Sequence, residues 1–398
     1  MIRSKINKQL TQFSGLLALG FLLALSPSLA AEIPACVSSP DFFTNPTSHM
    51  LWQLPTQVLA QDSLAFGTIG DWGGMGSGKK RFEQQLASLA TAMNEVAESS
   101  DWDFVMNVGD NFYPHGVASI DDARWQVGFE NLFDGEKLRS IYWYSVLGNH
   151  DFHPPAQPIA QIAYSYLKPY TRWCMPHFFY TYRYQLADFG ASFIAIDSNS
   201  LLHACKRGCQ TKTPSTCKIE RERPDPVCSE DYAPQYDAQI QFLDSEIRKA
   251  KAAGDWVIVF MHHPIASAGG NYGFKEGPNW GYPVLRDQIA SILTHHNIDA
   301  LFTGHEHLSE FILALPHQIP LVITGNAGYG NGKMACSAGP DCNAKLDLQY
   351  GYYKYDAKFV SKSAGFGDIV LTKHTMTFKI LGADKTELFT YTREKTLR

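Results

Sequence analysis

The sequence predicts an α/β fold, and three observations carry the prediction. Short apolar runs that end in glycine or another turn residue recur along the 398 residues. Stretches with apolar residues three and four positions apart lie between them, and the last part of the chain turns to strand-like runs joined by short turns. With 45% hydrophobic and 13% aromatic residues, the chain can bury a large core in one big domain or two. A net charge of −5 and a pI near 6.3 argue against a basic nucleic-acid footprint and leave room for a local positive site.

Taken in order, residues 1–31 read as an export leader. Arg3, Lys5 and Lys8 precede an apolar run over 13–25, and Ser28-Leu29-Ala30 offers a small-residue cleavage site before Ala31. That run is shorter than the roughly 20 residues a membrane-spanning helix needs, and no later segment is long and apolar enough to span a bilayer. Residues 32–63 read as an N-terminal extension. Buried strands are expected over 64–69, 104–108, 142–147, 193–196, 257–261, 301–303 and 321–324. Helical spacing joins Phe82, Leu86, Leu89, Met93 and Val96, then Ile240, Leu243 and Ile247, then Leu285, Ile289, Ile292 and Leu293. Strands over 369–372, 375–380 and 388–392 are expected to close a sheet as hairpins rather than crossovers.

All eight cysteines lie beyond the expected cleavage point. An even count in an oxidising compartment predicts up to four disulfides. Cys205, Cys209, Cys217 and Cys228 fall in a segment of about 202–234 that lacks apolar period. Their irregular spacing reads as staples for a long loop rather than as a zinc cluster. Cys336 with Cys342 is the expected local pair.

The chemistry lies at the strand ends. Gly70-Asp71-Trp72-Gly73-Gly74, Gly109-Asp110-Asn111-Phe112-Tyr113, Gly148-Asn149-His150-Asp151, His262-His263-Pro264 and Gly304-His305-Glu306-His307 each follow an expected strand. Each supplies an oxygen or imidazole donor of the kind hard and borderline metal ions take. Singly, an Asp after Gly is usually a turn or helix cap, and a lone His-Pro or His-x-His is usually a surface or satisfied histidine. His295 and His296, at a helix end, read as structural. Five motifs with complementary donors, each at a strand end, read instead as one metal site assembled in the crevice beyond the carboxyl ends of the strands. His305 and His307 share a face if extended, and in a tight loop they can straddle two ions.

These motifs, in this order, resemble those of the binuclear metallophosphoesterases. The Gly-Asp-Trp-Gly-Gly, Gly-Asp-Asn-Phe-Tyr and Gly-Asn-His-Asp versions are similar to the small purple acid phosphatases of the tartrate-resistant, uteroferrin-like type. The likeness runs from about residue 64 to the C-terminus and includes the stretch Ala160-Gln161-Ile162-Ala163-Tyr164-Ser165 and Arg172-Trp173. It implies a four-layer αββα sandwich of mixed sheets flanked by helices, with a catalytic domain over 64–398. It also implies that Asp71, Tyr113 and His307 bind a ferric ion, with Asp110 bridging to a second metal. Asn149, His262 and His305 would hold that second, divalent ion, which is iron, zinc or manganese. The split is chemically reasonable, because a phenolate and carboxylates suit the more highly charged ion and a neutral amide with two imidazoles suits a divalent one. His150 matches the family's outer histidine, which protonates the leaving alkoxide or steadies the phosphate. Asn149, His150 and Asn271 would bind substrate.

Two departures stand out. The mammalian type carries a histidine where this chain has Asn271, which can hydrogen-bond phosphate and cannot act as an acid; His115 and His153 are candidates to compensate. The cysteine-rich loop lies where the mammalian enzymes carry a shorter loop, and we expect it to border the active site. The implied reaction is hydrolysis of phosphate monoesters in an exported, mildly acidic setting, with no nucleic-acid partner and no membrane span after leader removal. The alternative is a phosphodiesterase or nucleotide pyrophosphatase of the same superfamily. A further reading takes Gly73-Gly74-Met75-Gly76-Ser77-Gly78-Lys79-Lys80 as a nucleotide-phosphate loop, but Lys80 stands where a magnesium-binding Ser or Thr is needed. Oligomeric state is not readable from the chain.

Overall fold

Two mixed β-sheets face each other and fix where the motif loops meet. In the first, β2 (Ser63–Ile69), β3 (Phe104–Asn107), β4 (Tyr142–Ser145) and β5 (Trp173–Cys174) run parallel. Beside β2 the antiparallel strands β13 (Gly365–Thr372), β14 (Thr375–Gly382) and β15 (Glu387–Glu394) complete a seven-stranded sheet. In the second, β7 (Gly190–Ala195), β8 (Trp256–Phe260), β9 (Ala300–Thr303) and β11 (Ile319–Thr324) are parallel. Antiparallel β6 (Tyr180–Gln185) and the short β1 (Gln57–Val58) flank one side, and β10 (Ser309–Leu315) and β12 (Lys354–Ser361) the other. The computed structural model describes residues 36–37, 53–76, 78–153, 155–168, 171–203, 233–269, 285–328, 332–350 and 353–395.

Parallel strands covered on both faces need continuous apolar runs, and Phe104–Asn107, Trp256–Phe260 and Ala300–Thr303 are buried throughout. Between the sheets the core is aromatic. Phe104 lies at its centre, with ring centroids of Phe66, Phe193, Tyr184 and Tyr144 at 4.8, 5.1, 5.2 and 5.4 Å. Such pairs contribute about 0.5–1.5 kcal/mol each beyond area burial, so this layer holds the two sheets in fixed register. On the outer faces, the helix Lys80–Ser99 buries Leu86, Leu89, Met93 and Val96 and packs on β2 and β13. The helix Ala233–Ala252 packs on β7 and β8 of the other sheet. The result is the αββα sandwich expected from the sequence.

Each expected strand is present, with ends shifted by a few residues, and the three C-terminal strands pair as hairpins. The strands β1, β5, β6, β10 and β12 were not among those expected. In β6 the signal was alternation, with Tyr180, Tyr182 and Tyr184 buried and the intervening residues half-buried, a pattern that a search for continuous apolar runs passes over. Cys336 and Cys342 form the expected local disulfide, and a second joins Cys36 to Cys174, which ties the N-terminal extension to β5. The expected leader, the four cysteines of the 202–234 loop and Asn271 lie outside the described residues. Among the described residues no helix is long and apolar enough to cross a membrane.

Candidate metal centre

Each motif loop leaves the carboxyl end of a parallel strand; parallel pairing aligns the ends of β2, β3 and β4 in one sheet and of β8 and β9 in the other, and the facing sheets bring both sets of loops to one edge of the sandwich. Close approach there depends on glycine. A Cβ on Gly148 would lie 2.1 Å from Asp110 Oδ1, and one on Gly304 would lie 2.5 Å from Asp71 Oδ2. Three of the gathered side chains also sit on left-handed backbone: Asp71 at φ 57°, Asp110 at φ 54° and His305 at φ 69°. Non-glycine residues in that region cost about 1–3 kcal/mol each and persist where surrounding structure imposes them, typically at functional sites.

Seven residues singled out from the sequence form two adjoining clusters. In the first, the Tyr113 hydroxyl is 2.9 Å from Asp71 Oδ1, 2.7 Å from Asp110 Oδ2 and 3.1 Å from His307 Nε2. In the second, Asn149 Oδ1 is 3.2 Å from His262 Nε2 and 2.9 Å from His305 Nδ1, and the two ring nitrogens are 3.2 Å apart. Asp110 reaches both: Oδ2 faces Tyr113, while Oδ1 accepts the His150 backbone N–H at 2.8 Å and lies 3.5 Å from His262 Nε2. His305 and His307 divide between the clusters, as a tight loop allows. The His305 backbone N–H, in turn, donates to Asp71 Oδ2 at 2.8 Å.

Proton counting shows what this geometry suits. One phenolic proton cannot satisfy both carboxylates and the imidazole that surround it. In the second cluster, His262 Nδ1 lies 2.9 Å from the Val108 carbonyl, which only accepts, so Nδ1 carries the proton and Nε2 presents a lone pair. That lone pair and the Asn149 carbonyl oxygen point at the same place. Electron-pair donors converging with too few protons between them form a cation site, and a carboxylate facing both clusters suits a pair of cations. The donor set and the glycine cradle therefore fit two metal ions.

Electrostatics follow the same division. Burial works to raise the Asp110 pKa, but His262, His150 and His305 outweigh it and leave the carboxyl at about 2. Burial, reinforced by Asp110 and Asp71, holds the Tyr113 phenol well above its ordinary value, so its ionisation requires a strong cation beside it. Burial and the neighbouring His262 push His305 well below the usual imidazole range, which keeps it neutral. For His307, burial is outweighed by the hydrogen bond and charge of Asp71.

His150 sits at the rim. Its Nδ1 is 2.8 Å from the Pro114 carbonyl and its ring lies 4.4 Å, centroid to centroid, from Tyr113. His153 follows at 4.7 Å from His150, and His115 at 6.4 Å from His153. Lys79 lies over the Phe82 ring at 5.5 Å, just before the helix Lys80–Ser99. His296 pairs with Asp244 at 2.7 Å, away from the site.

Several supporting residues escaped the sequence reading. Buried Asp151 accepts from the backbone N–H groups of Gly148 at 2.9 Å and Asn111 at 3.1 Å, and from Gln161 Nε2 at 2.8 Å, so it ties together two motif loops. Asn199 donates to the Leu147 carbonyl at 3.0 Å, just before Gly148. Fully buried Glu310 accepts from the Ala268 N–H at 2.7 Å and shares a 2.6 Å hydrogen bond with Ser267. His263 packs against His305 with centroids 4.3 Å apart. Only Asp151 and His263 carried a signal, as neighbours within motifs already read.

Comparison with known proteins agrees with this geometry. Residues 64–309 match the family described as calcineurin-like phosphoesterase. Purple acid phosphatase 7 of Arabidopsis thaliana is 30% identical over 274 residues, covering 68% of this chain and 73% of that protein. Tartrate-resistant acid phosphatase type 5 of Homo sapiens is 25% identical over 335 residues, covering 83% and 90%. Among solved structures, the purple acid phosphatase PPD1 from yellow lupin aligns with TM-score 0.55 at 13% identity, over 85% of this chain and 55% of that one. GAP50, the anchor in the inner membrane complex of Plasmodium, aligns with TM-score 0.62 at 19% identity, over 85% and 90%. At such identities the two structures speak for the fold alone.

Proposed function

The chain belongs to the calcineurin-like phosphoesterase family, and on that premise we infer that it is an acid phosphatase that hydrolyses phosphate monoesters at a binuclear metal centre. The observation that carries the reading is the pair of adjoining donor clusters spanned by Asp110. We propose that Asp71, Asp110, Tyr113 and His307 hold a ferric ion, and that Asn149, His262 and His305, with Asp110 shared, hold a divalent ion such as iron, zinc or manganese. When bound, the two ions supply Lewis acidity, lowering the pKa of water and drawing charge from the phosphoryl group.

The chain's own residues do the rest. Asp110 orients both clusters, with one oxygen tied to the His150 backbone and the other facing Tyr113. Asp151 anchors Gly148 and so sets where Asn149 and His150 enter the site. Because the His150 Nδ1–H donates a hydrogen bond to the Pro114 carbonyl, the ring can donate to a leaving oxygen only from Nε2 and only when doubly protonated. Asn149 and Asn271 would contribute hydrogen bonds to the phosphate. The phosphoesterase body is taken to run from 64 to 398, behind an export leader over 1–31 and an extension over 32–63. The Cys336–Cys342 and Cys36–Cys174 disulfides support an exported, oxidising location.

The test is a comparison of aryl monoester and diester hydrolysis by the matured protein across pH. Faster turnover of the monoester below neutrality is expected. A preference for the diester would move the chain to the phosphodiesterase alternative.

A further inference from the structure

His263 is a buried titratable side chain beside the site that the proposed metal assignment does not use. It follows His262 directly, packs against both His262 and His305 with centroids 4.8 and 4.3 Å away, and is almost wholly buried. One ring nitrogen from each of His262, His263 and His305 falls within 4.8 Å of the others, a spacing that three ligands of a single ion can adopt after small rotations. A buried third imidazole against two others is costly packing unless it serves them, since apolar side chains fill such a place without desolvating a polar ring.

Its orientation is set from outside the motif. Ser198, at the start of the helix Ser198–His203, accepts the His263 backbone N–H at 3.0 Å and meets His263 Nδ1 at 2.8 Å. The hydroxyl has one proton and one remaining lone pair for that ring. If Nδ1 donates to Ser198, Nε2 carries a lone pair and is a metal ligand; if Ser198 donates, Nε2 carries a proton and is not. A cation at the neutral cluster selects the first arrangement, in which the ligating ring gives its other N–H to an oxygen, the usual pattern for metal-binding histidine.

We propose that His263 is a third imidazole donor to the divalent ion, with Ser198 as the positioning residue that holds it in the ligating tautomer. This rests on the binuclear reading above and adds to it. A third neutral nitrogen beside Asn149, His262 and His305 softens the divalent site and shifts its preference toward zinc and away from manganese, because imidazole favours zinc whereas carbonyl oxygen favours manganese.

The experiment uses the full matured chain stripped of metal, with zinc added alone in competition with a chromophoric chelator, and melting followed with and without metal. Wild type is expected to bind zinc at the neutral cluster. In His263→Phe that binding should lose about 10–100-fold in affinity, the range for groups that tune a metal site, with the metal-free melting temperature unchanged. Ser198→Ala should weaken the same step less, and His263→Gln replaces the phenylalanine variant if that does not fold. Unchanged zinc affinity in the His263 variant, or a lower metal-free melting temperature with affinity intact, would overturn the proposal and leave His263 a packing residue. The binuclear reading survives that result. If wild type itself binds no zinc, both fall.

Discussion

Around Tyr113 the chain gathers two carboxylates, a phenol and one imidazole; around Asn149, across the shared Asp110, it gathers an amide and imidazoles that bring no charge of their own. Both clusters draw on the same kind of strand-end loop and the same edge of the sandwich. The difference lies in side-chain chemistry alone, and it teaches that one scaffold can present a hard, anionic pocket and a softer, neutral one side by side. The proton placements agree. Tyr113 is held far above its ordinary pKa, waiting for a strong cation, while His305 is kept neutral by burial and its histidine neighbours.

The largest effect should come from the residue that spans the two. Asp110→Asn keeps the shape, removes the charge and puts an amide where both clusters need an anion. Metal analysis should find both ions lost, and turnover should fall on the order of 10³-fold or more, above what losing a single stabilising donor costs. Retention of one ion at full affinity would break the idea of a shared bridge. Next come variants that separate the clusters. His262→Ala should release the divalent ion and spare the one at Tyr113, whereas Tyr113→Phe should do the reverse to the visible spectrum while leaving divalent binding nearly intact. If both variants lose the same ion, the division is wrong.

A smaller effect is expected at the rim. His150→Asn should lower turnover roughly 10²-fold for alkyl phosphates, whose leaving oxygen needs a proton, and much less for a nitrophenyl ester, which does not. Equal losses on both would assign the ring to phosphate binding instead.

The smallest effect concerns support behind the neutral cluster. Burial pushes Glu310 up to about 7 against the lowering hydrogen bonds of Ser267 and Ala268. Its folded pKa thus exceeds the ordinary value of 4.5, so the folded state holds a proton that the unfolded chain has lost. Stability from this residue is full below pH 4.5, falls as pH rises toward 7 and is flat above that. Glu310→Gln should therefore be near neutral at pH 4 and more stable than wild type at pH 8, by at most about 3 kcal/mol. Denaturant unfolding at the two pH values measures it, and a variant equally destabilised at both would contradict the burial argument.

How much of this was legible follows from what sequence records. Asp71, Asp110, Tyr113, Asn149, His262, His305 and His307 were readable because each lies in a loop that follows an apolar run, and those runs are parallel strands of two facing sheets whose carboxyl ends share one edge. The division of His305 from His307 was only half legible, since it depends on the left-handed backbone at His305. Asn199 and Glu310 were not legible. Each acts through one long-range hydrogen bond to a backbone group, Leu147 and Ala268 respectively, and such partners leave no spacing pattern. The strand β6 was missed for a related reason, because its information lies in alternation rather than in an apolar run.

The most direct test of the central claim, two unlike clusters holding two unlike ions, is the visible absorption spectrum of the purified protein together with its metal content, set beside the same measurements on Tyr113→Phe. Two ions per chain are expected, one of them iron, with a broad visible band from tyrosinate-to-iron charge transfer that disappears in the variant. A colourless wild-type protein holding two identical divalent ions would contradict it.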